Sequence, residues 1–279
     1  MHTIHEEIVF AEAEDGLSLV GLALKPTAAP PPSTAIVLVH GNTGRFYDWL
    51  YVQLGRALAE AGYFVISGNT RGHDISTWGW NGQASALQAV GSAWERFEEA
   101  PHDIAGWVGY AASMGASRVV LFGHSQGAAK AVIYQAQRHD PQVLGVVAAS
   151  PDLNSDWGTQ APAARALVAE GRGGDFLQAA QDDPWYRLTA ANIVSRADCL
   201  AHVYRSDQQA PAIAALGSPL LVLFGSNDIG GEAEAAAIRQ GASSAPRVDT
   251  AIIEGADHLY SGREQELASR IGGWVGTLV

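Results

Sequence analysis

At 279 residues the chain is long enough to bury one large core, and a composition of 47% hydrophobic and 16% charged residues excludes global disorder. A net charge of −12 without a basic stretch gives no support to nucleic-acid binding, and no apolar run reaches the roughly 20 residues that span a bilayer. The lone cysteine, Cys199, excludes an intrachain disulfide framework, and the start "MHTIHEEIVF" lacks the basic and apolar regions of a secretory leader, so a cytoplasmic location is expected.

In chain order, "IHEEIVFAEA" and "LSLVGLAL" flank an Asp15-Gly16 turn signal and predict an antiparallel hairpin. "PTAAPPPS" reads as a surface loop before the near-continuous apolar strand "TAIVLVH". Leu50, Leu54, Leu58 and Ala61 recur at helical spacing, and Gly62 ends that helix before the strand "YFVISG". Ile104, Trp107, Val108 and Ala111 mark another amphipathic helix, followed by the strand "SRVVLFG" and a helix with Ala128, Val132, Ile133 and Ala136 on its apolar side. "VLGVVAAS", "SPLLVLFG" and "RVDTAIIEG" are later strands, and Leu267, Ile271, Trp274, Val275 and Leu278 define the last helix. Apolar strands without alternation, separated by amphipathic helices, predict an α/β fold with a predominantly parallel central sheet covered by helices on both faces.

Residues 151–211 break this rhythm, with helical periodicity and no convincing core strand. Structureless loops of this length are uncommon in a compact domain. The expectation is a helical cap at 151–211 between two parts of one core, 1–150 and 212–279; an elongated crossover with one or two helices is the alternative.

The motif "LFGHSQGAAK" sets Ser125 between a strand and a helix, with Gly123 and Gly127 two residues to either side. There a tight turn lifts a hydroxyl to the carboxyl edge of the sheet. A helix-capping serine occupies a similar position, so capping is the alternative. A nucleophilic serine needs a base. Among the nine histidines, His258 is the best placed, on a loop after a late strand; His40 and His73 also follow strands. Asp228, just past "LLVLFG", supplies a carboxylate in the order serine, aspartate, histidine, with Asp152 as the competitor and Asp257 as a loop-shaping residue. The glycine-rich turn after "AIVLVH" offers the Asn42 amide as one oxyanion donor, with Thr43 as the adjacent alternative, and Gln126 offers the second.

Together "HGNTG", "GNTRGHD", "GHSQG", "FGSND" and "GADH" resemble the α/β-hydrolase superfamily, in its serine-nucleophile branch with a helical cap. The resemblance spans essentially the whole chain. It implies a Ser125, Asp228 and His258 triad, amide donors on Asn42 and Gln126, and a cap after the sixth sheet strand that lines the substrate cavity. It further implies that His40 supports the oxyanion loop and that Arg71 and His73 belong to the scaffold. Trp78, Trp80, Trp157, Trp185 and Tyr186 are candidate pocket residues or packing residues. Arg45 and Tyr47 follow the oxyanion loop and are further candidates, although a surface salt bridge suits Arg45 equally.

No Cys/His spacing suits a metal, "GNTG" lacks the lysine and hydroxyl of a phosphate loop, and the expectation is no metal and no cofactor. The expected activity is hydrolysis of a carboxylic ester or lactone, through an acyl-enzyme, on a small substrate with a partly apolar acyl or alcohol group. Amide or carbon–carbon hydrolysis and acyl transfer use the same residues and stay open, as does the oligomeric state.

Overall fold

The apolar runs without alternation become strands buried on both faces. The computed structural model describes residues 3–27, 33–153, 157, 159–178, 186–205 and 209–278. It opens with the antiparallel pair β1 (Ile4–Glu12) and β2 (Ser18–Pro26), followed by β3 (Thr34–Val39), α1 (Trp49–Glu60) and β4 (Phe64–Gly68). After β5 (Thr77–Asn81) and β6 (Ala86–Val90) come α2 (Ala100–Ser113), β7 (Arg118–His124), α3 (Gln126–Arg138) and β8 (Val143–Ala149). Next are α4 (Ala161–Ala169), β9 (Phe176–Gln178), β10 (Arg187–Thr189) and α5 (Ala190–Asp198). The chain then returns to the core through β11 (Leu220–Gly225), α6 (Glu232–Gly241), β12 (Val248–Ile253) and α7 (Glu264–Val275).

The central sheet has eight strands in the order β1-β2-β4-β3-β7-β8-β11-β12, antiparallel from β1 to β4 and parallel from there on. Side chains alternate across a strand, so each inner strand feeds two cores. Ala35, Val37 and Val39 of β3 belong to the core covered by α2, α3 and α6, while Ile36 and Leu38 belong to the one covered by α1 and α7. A strand serving two cores has no polar face, which is why the sequence shows no alternation there. Parallel pairing sends the carboxyl ends of β3, β7, β8, β11 and β12 to one edge, where the loops bearing Asn42, Ser125, Ser150, Asp228 and His258 follow.

Three features go beyond or differ from the sequence expectation. The stretch after Asn69, to which the sequence assigned no element, holds the hairpin β5–β6, in which Trp78 pairs with Ala89 and Trp80 with Leu87. The residues between β8 and β11 contain the two-stranded β9–β10 sheet as well as α4 and α5. Its strands are three residues long, too short for a period of two to stand out from helical spacing. Helix α3 is buried along all of 126–136, including Lys130 and Gln135, rather than on one apolar side. Among the described residues, no helix is long and apolar enough to cross a membrane.

Candidate active site

Ser125 stands between β7 and α3 with φ 53° and ψ −123°, a conformation that costs an ordinary residue about 1–3 kcal/mol. The surroundings enforce it. A Cβ on Gly123 would run into the Gly127 carbonyl and Ala128, and one on Gly127 into the carbonyls of Val39 and His40. The serine occupies the N-cap position of α3, yet its side chain makes no capping hydrogen bond. It faces a cavity of about 610 Å³ whose walls include Asn42, Arg45, Trp49, Leu50, His258 and Leu259.

His258 follows β12, and its Nδ1 donates to Asp228 Oδ1 at 2.9 Å. The Asp228 side chain is fully buried, and Oδ1 also accepts from the Ile229 amide at 2.7 Å. Burial pushes its pKa up, but the bonds from His258 and Ile229 outweigh that and hold it below the ordinary carboxylate value. Hydrogen bonding to Asp228 correspondingly raises the pKa of His258, against partial burial that lowers it. The charge of Asp152 also acts on His258, but the direct bond comes from Asp228. Asp257 accepts from the amides of Leu259 and Ser261, shaping the loop as its neighbouring position suggested. Ser125 and His258 share the cavity wall with no direct hydrogen bond among the described residues, a looseness common in active sites without substrate.

The turn after β3 lies against the Ser125 turn. Among the described residues, neither the Asn42 nor the Gln126 backbone amide has an intramolecular acceptor. The Thr70 amide donates to His40 Nε2 at 2.9 Å, so the ring proton sits on Nδ1 and goes to the Gly41 carbonyl, also at 2.9 Å. Burial and then the charge of Lys130 keep His40 neutral, with its pKa well below the ordinary imidazole value. His40 thereby ties the oxyanion-loop candidate to the chain after β4. Thr43 sits at φ 56° within the same turn. Arg71 forms a buried fork on Asp103, with Asp15 and Glu99 as further partners, and His73 pairs with Asp74. Arg71 thereby links three separate segments of the scaffold, whereas the His73 pair is local.

A second histidine, adjacent to the serine, joins three loops. Gly41 N–H donates to Tyr51 Oη (2.9 Å), the Tyr51 hydroxyl donates to His124 Nδ1 (3.1 Å), and His124 Nε2 donates to the His258 carbonyl (2.7 Å). Burial depresses the His124 pKa to about 4, so the ring stays neutral and the chain of donors keeps its direction. This tie between the His258 loop and the Gly41 turn depends on Tyr51 and has no local signal in the sequence.

The expected pocket residues divide. Arg45 lines the cavity while bonded to Asp48 (3.0 Å) and stacked over Tyr47 at 5.2 Å, whereas Tyr47 itself is exposed and outside the wall. Trp78 and Trp80 are 69% and 49% exposed and do not line the cavity. Two residues apart on β5, they share the outward face of the hairpin. Trp157 packs on the small apolar cluster of Ala93, Ala164, Leu188, Ala190 and Ile193, away from the cavity wall. Tyr186 joins that cluster and accepts a hydrogen bond at Oη from Asn42 Nδ2 (2.9 Å). Trp185 lies outside the described residues. The residue that sequence reasoning missed entirely is Arg196 of α5, whose guanidinium donates to the side-chain oxygens of both Asn42 and Gln126 at 3.1 Å.

The alpha/beta hydrolase fold family model matches residues 34–183. Over 128 residues the chain is 29% identical to phospholipase YtpA of Bacillus subtilis (strain 168), a match covering 45% of this chain and 43% of that protein, less than half the relative's length. Est1E from Butyrivibrio proteoclasticus, solved with ferulic acid bound, superposes with a TM-score of 0.69 at 16% identity over 97% of this chain and 98% of that one. The Pyrococcus furiosus esterase Pf2001 gives a TM-score of 0.64 at 15% identity, over 98% and 91% of the two chains. At these identities the two structures are alike in fold, and that fold agrees with the family match over more than half of the sequence. The chain belongs to the alpha/beta hydrolase fold family.

Proposed function

We propose that this protein is a serine hydrolase that cleaves a carboxylic ester or lactone through an acyl-enzyme. The observation carrying this reading is the uncapped Ser125 hydroxyl, held on a strained turn and facing the cavity that His258 enters with its Nδ1 on buried Asp228. Ser125 Oγ attacks the substrate carbonyl while His258 Nε2 takes its proton, and Asp228 stabilises the resulting imidazolium. The tetrahedral oxyanion is received by the amides of Asn42 and Gln126. Its collapse expels the alcohol, which takes the proton back from His258. Water, deprotonated by the same imidazole, then attacks the acyl-serine and releases the acid.

An ester or lactone fits this machinery better than an amide or a carbon–carbon bond, because an alkoxide leaves more readily than an amine or a carbanion. The names of similar proteins, an esterase and a phospholipase, support the same bond class. Trp49, Leu50 and Leu259 give the cavity apolar wall, which suits a partly apolar acyl or alcohol group. Residues 151–211 act in this reading as a cap whose Tyr186 and Arg196 contact the oxyanion residues.

The test is brief exposure to a fluorophosphonate and to a panel of esters, lactones, amides and β-diketones, with intact-mass and peptide analysis. The expected result is a covalent adduct on Ser125, turnover of esters or lactones first, and a loss of at least about 10⁴-fold in folded Ser125→Ala. Unchanged turnover by that variant would sink the covalent-serine mechanism. Selective β-diketone cleavage with negligible ester turnover would move the assignment to carbon–carbon hydrolysis.

A further inference from the structure

Arg196 has no solvent-exposed surface and does not itself line the cavity, yet it reaches both residues whose amides form the oxyanion hole in the reading above. Nη1 donates to Gln126 Oε1 and Nη2 to Asn42 Oδ1, each at 3.1 Å, and Nη2 reaches the Ser92 carbonyl at 3.4 Å. Nε donates to Asn192 Oδ1 at 2.7 Å, one turn earlier on α5. Asn192 is anchored in turn, through Nδ2 to the carbonyls of Ser92 (2.9 Å) and Glu95 (2.6 Å). The guanidinium lies over two rings, 5.3 Å from the centre of Phe97 and 5.1 Å from that of Trp157. A planar fork held at three nitrogens and packed against two rings has little freedom to rotate.

Its charge environment is unusual. Lys130, also fully buried, pairs with Glu95 at 2.6 Å, and Arg196 lies 3.8 Å from the same carboxylate. Among the described residues Glu95 is the only carboxylate in an ion pair with either cation. Two buried cations on one buried anion leave an excess positive charge behind the oxyanion loop. Burial without full pairing is costly in the resting protein. It becomes favourable when a negative charge develops nearby, and a desolvated field acts over that distance with little screening.

We propose that Arg196 is a positioning residue for the oxyanion hole. Its fork sets the spacing between the Asn42 and Gln126 segments, and the Arg196–Glu95–Lys130 cluster biases the hole toward the anionic tetrahedral state. The inserted segment then contributes to the chemistry as well as covering the cavity, because α5 supplies the fork. This proposal rests on the serine-hydrolase reading and adds to it a residue that never touches substrate.

The experiment uses the full chain with Arg196→Met, which keeps the aliphatic length and removes fork and charge, and Arg196→Lys, which keeps the charge alone. Active sites are counted with a fluorophosphonate. Per counted site, kcat for a p-nitrophenyl ester is expected to fall about 10- to 100-fold in Arg196→Met with KM within about threefold, since the loss falls on the transition state. Inhibition by phenylboronic acid, whose serine adduct is tetrahedral and anionic, should weaken by a similar factor. Arg196→Lys should lie between the wild type and Arg196→Met in both measurements. A folded Arg196→Met with unchanged kcat per site and unchanged boronate affinity, its deficit confined to fewer countable sites, overturns the proposal and leaves the hydrolase reading standing. A wild type that takes no fluorophosphonate on Ser125 removes both. Should Arg196→Met fail to fold, Asn42→Ala and Gln126→Ala delete the two acceptors and keep their amides; the same per-site loss supports the proposal, and its absence overturns it.

Discussion

The edge of the central sheet and the segment inserted between β8 and β11 hold their side chains in place by different means. At the edge, Ser125 and the Asn42 turn leave strands that are paired on both sides and buried on both faces. The insert has a small apolar cluster of its own, shared with Ala93 and Trp94 of the core, sends Leu200, Val203 and Tyr204 into the main core, and reaches the edge residues through polar ties from Asn192, Arg196 and Tyr186. Backbone geometry set by a sheet is insensitive to any single side chain, whereas geometry set by a few buried polar contacts is not. The chemistry proposed for the edge should therefore respond to substitution of the reacting groups, and the insert should modulate it by smaller, graded amounts.

After Ser125→Ala, the largest effect is expected from Asp228→Asn, which should lower kcat/KM for an activated ester by about 10⁴-fold in a folded protein. The pH profile sharpens this. The base must be neutral, and Asp228 raises the pKa of His258, so wild-type kcat/KM should climb with pH through a midpoint above the ordinary imidazole value of 6.5. In Asp228→Asn that limb should move to lower pH. The pair stabilises the fold between the two ordinary values, 3.8 for the carboxyl and 6.5 for the imidazole. Its contribution is lost as pH falls through the lowered pKa of Asp228 or rises through the raised pKa of His258. Retained activity in Asp228→Asn, with inactivity in folded Asp152→Asn, would transfer the role to Asp152.

A smaller effect belongs to the insert. Tyr186→Phe removes the acceptor for Asn42 Nδ2 and keeps the ring in its apolar cluster. The expected loss in kcat/KM is about threefold to tenfold, equivalent to roughly 1 kcal/mol for one hydrogen bond. A loss as large as that of Asp228→Asn would erase the distinction between edge and insert.

How far such sites can be read in advance depends on how local their causes are. Ser125 was legible because a strand, two glycines and a helix start lie within a few residues of it. Asp228 and His258 were legible as residues just past apolar strands in a parallel sheet. Arg196 was not. It lies 154 residues from Asn42 and 70 from Gln126 along the chain, on a helix where a lone arginine ordinarily reads as a solvated face.

Trp78 and Trp80 failed for a related reason. A tryptophan's bulk suggests a pocket wall, but the register of β5 against β6 sets both on the outward face. Trp78→Ala is accordingly expected to change small-ester turnover by less than about twofold, in line with surface positions. A larger loss at unchanged folded fraction would mean that the hairpin reaches the cavity.

The amino-acid sequence by itself determined the strand–helix rhythm, the parallel core and the turns that carry the serine, aspartate and histidine, because apolar periodicity and glycine placement act over a few residues. Only the tertiary structure decided which aromatic side chains face the cavity. It also decided that Tyr51 and His124 join three loops, and that a buried arginine from the insert holds the Asn42 and Gln126 side chains. These outcomes follow from register and packing between segments distant along the chain, and no short-range pattern in the sequence encodes which distant side chains will share a buried acceptor.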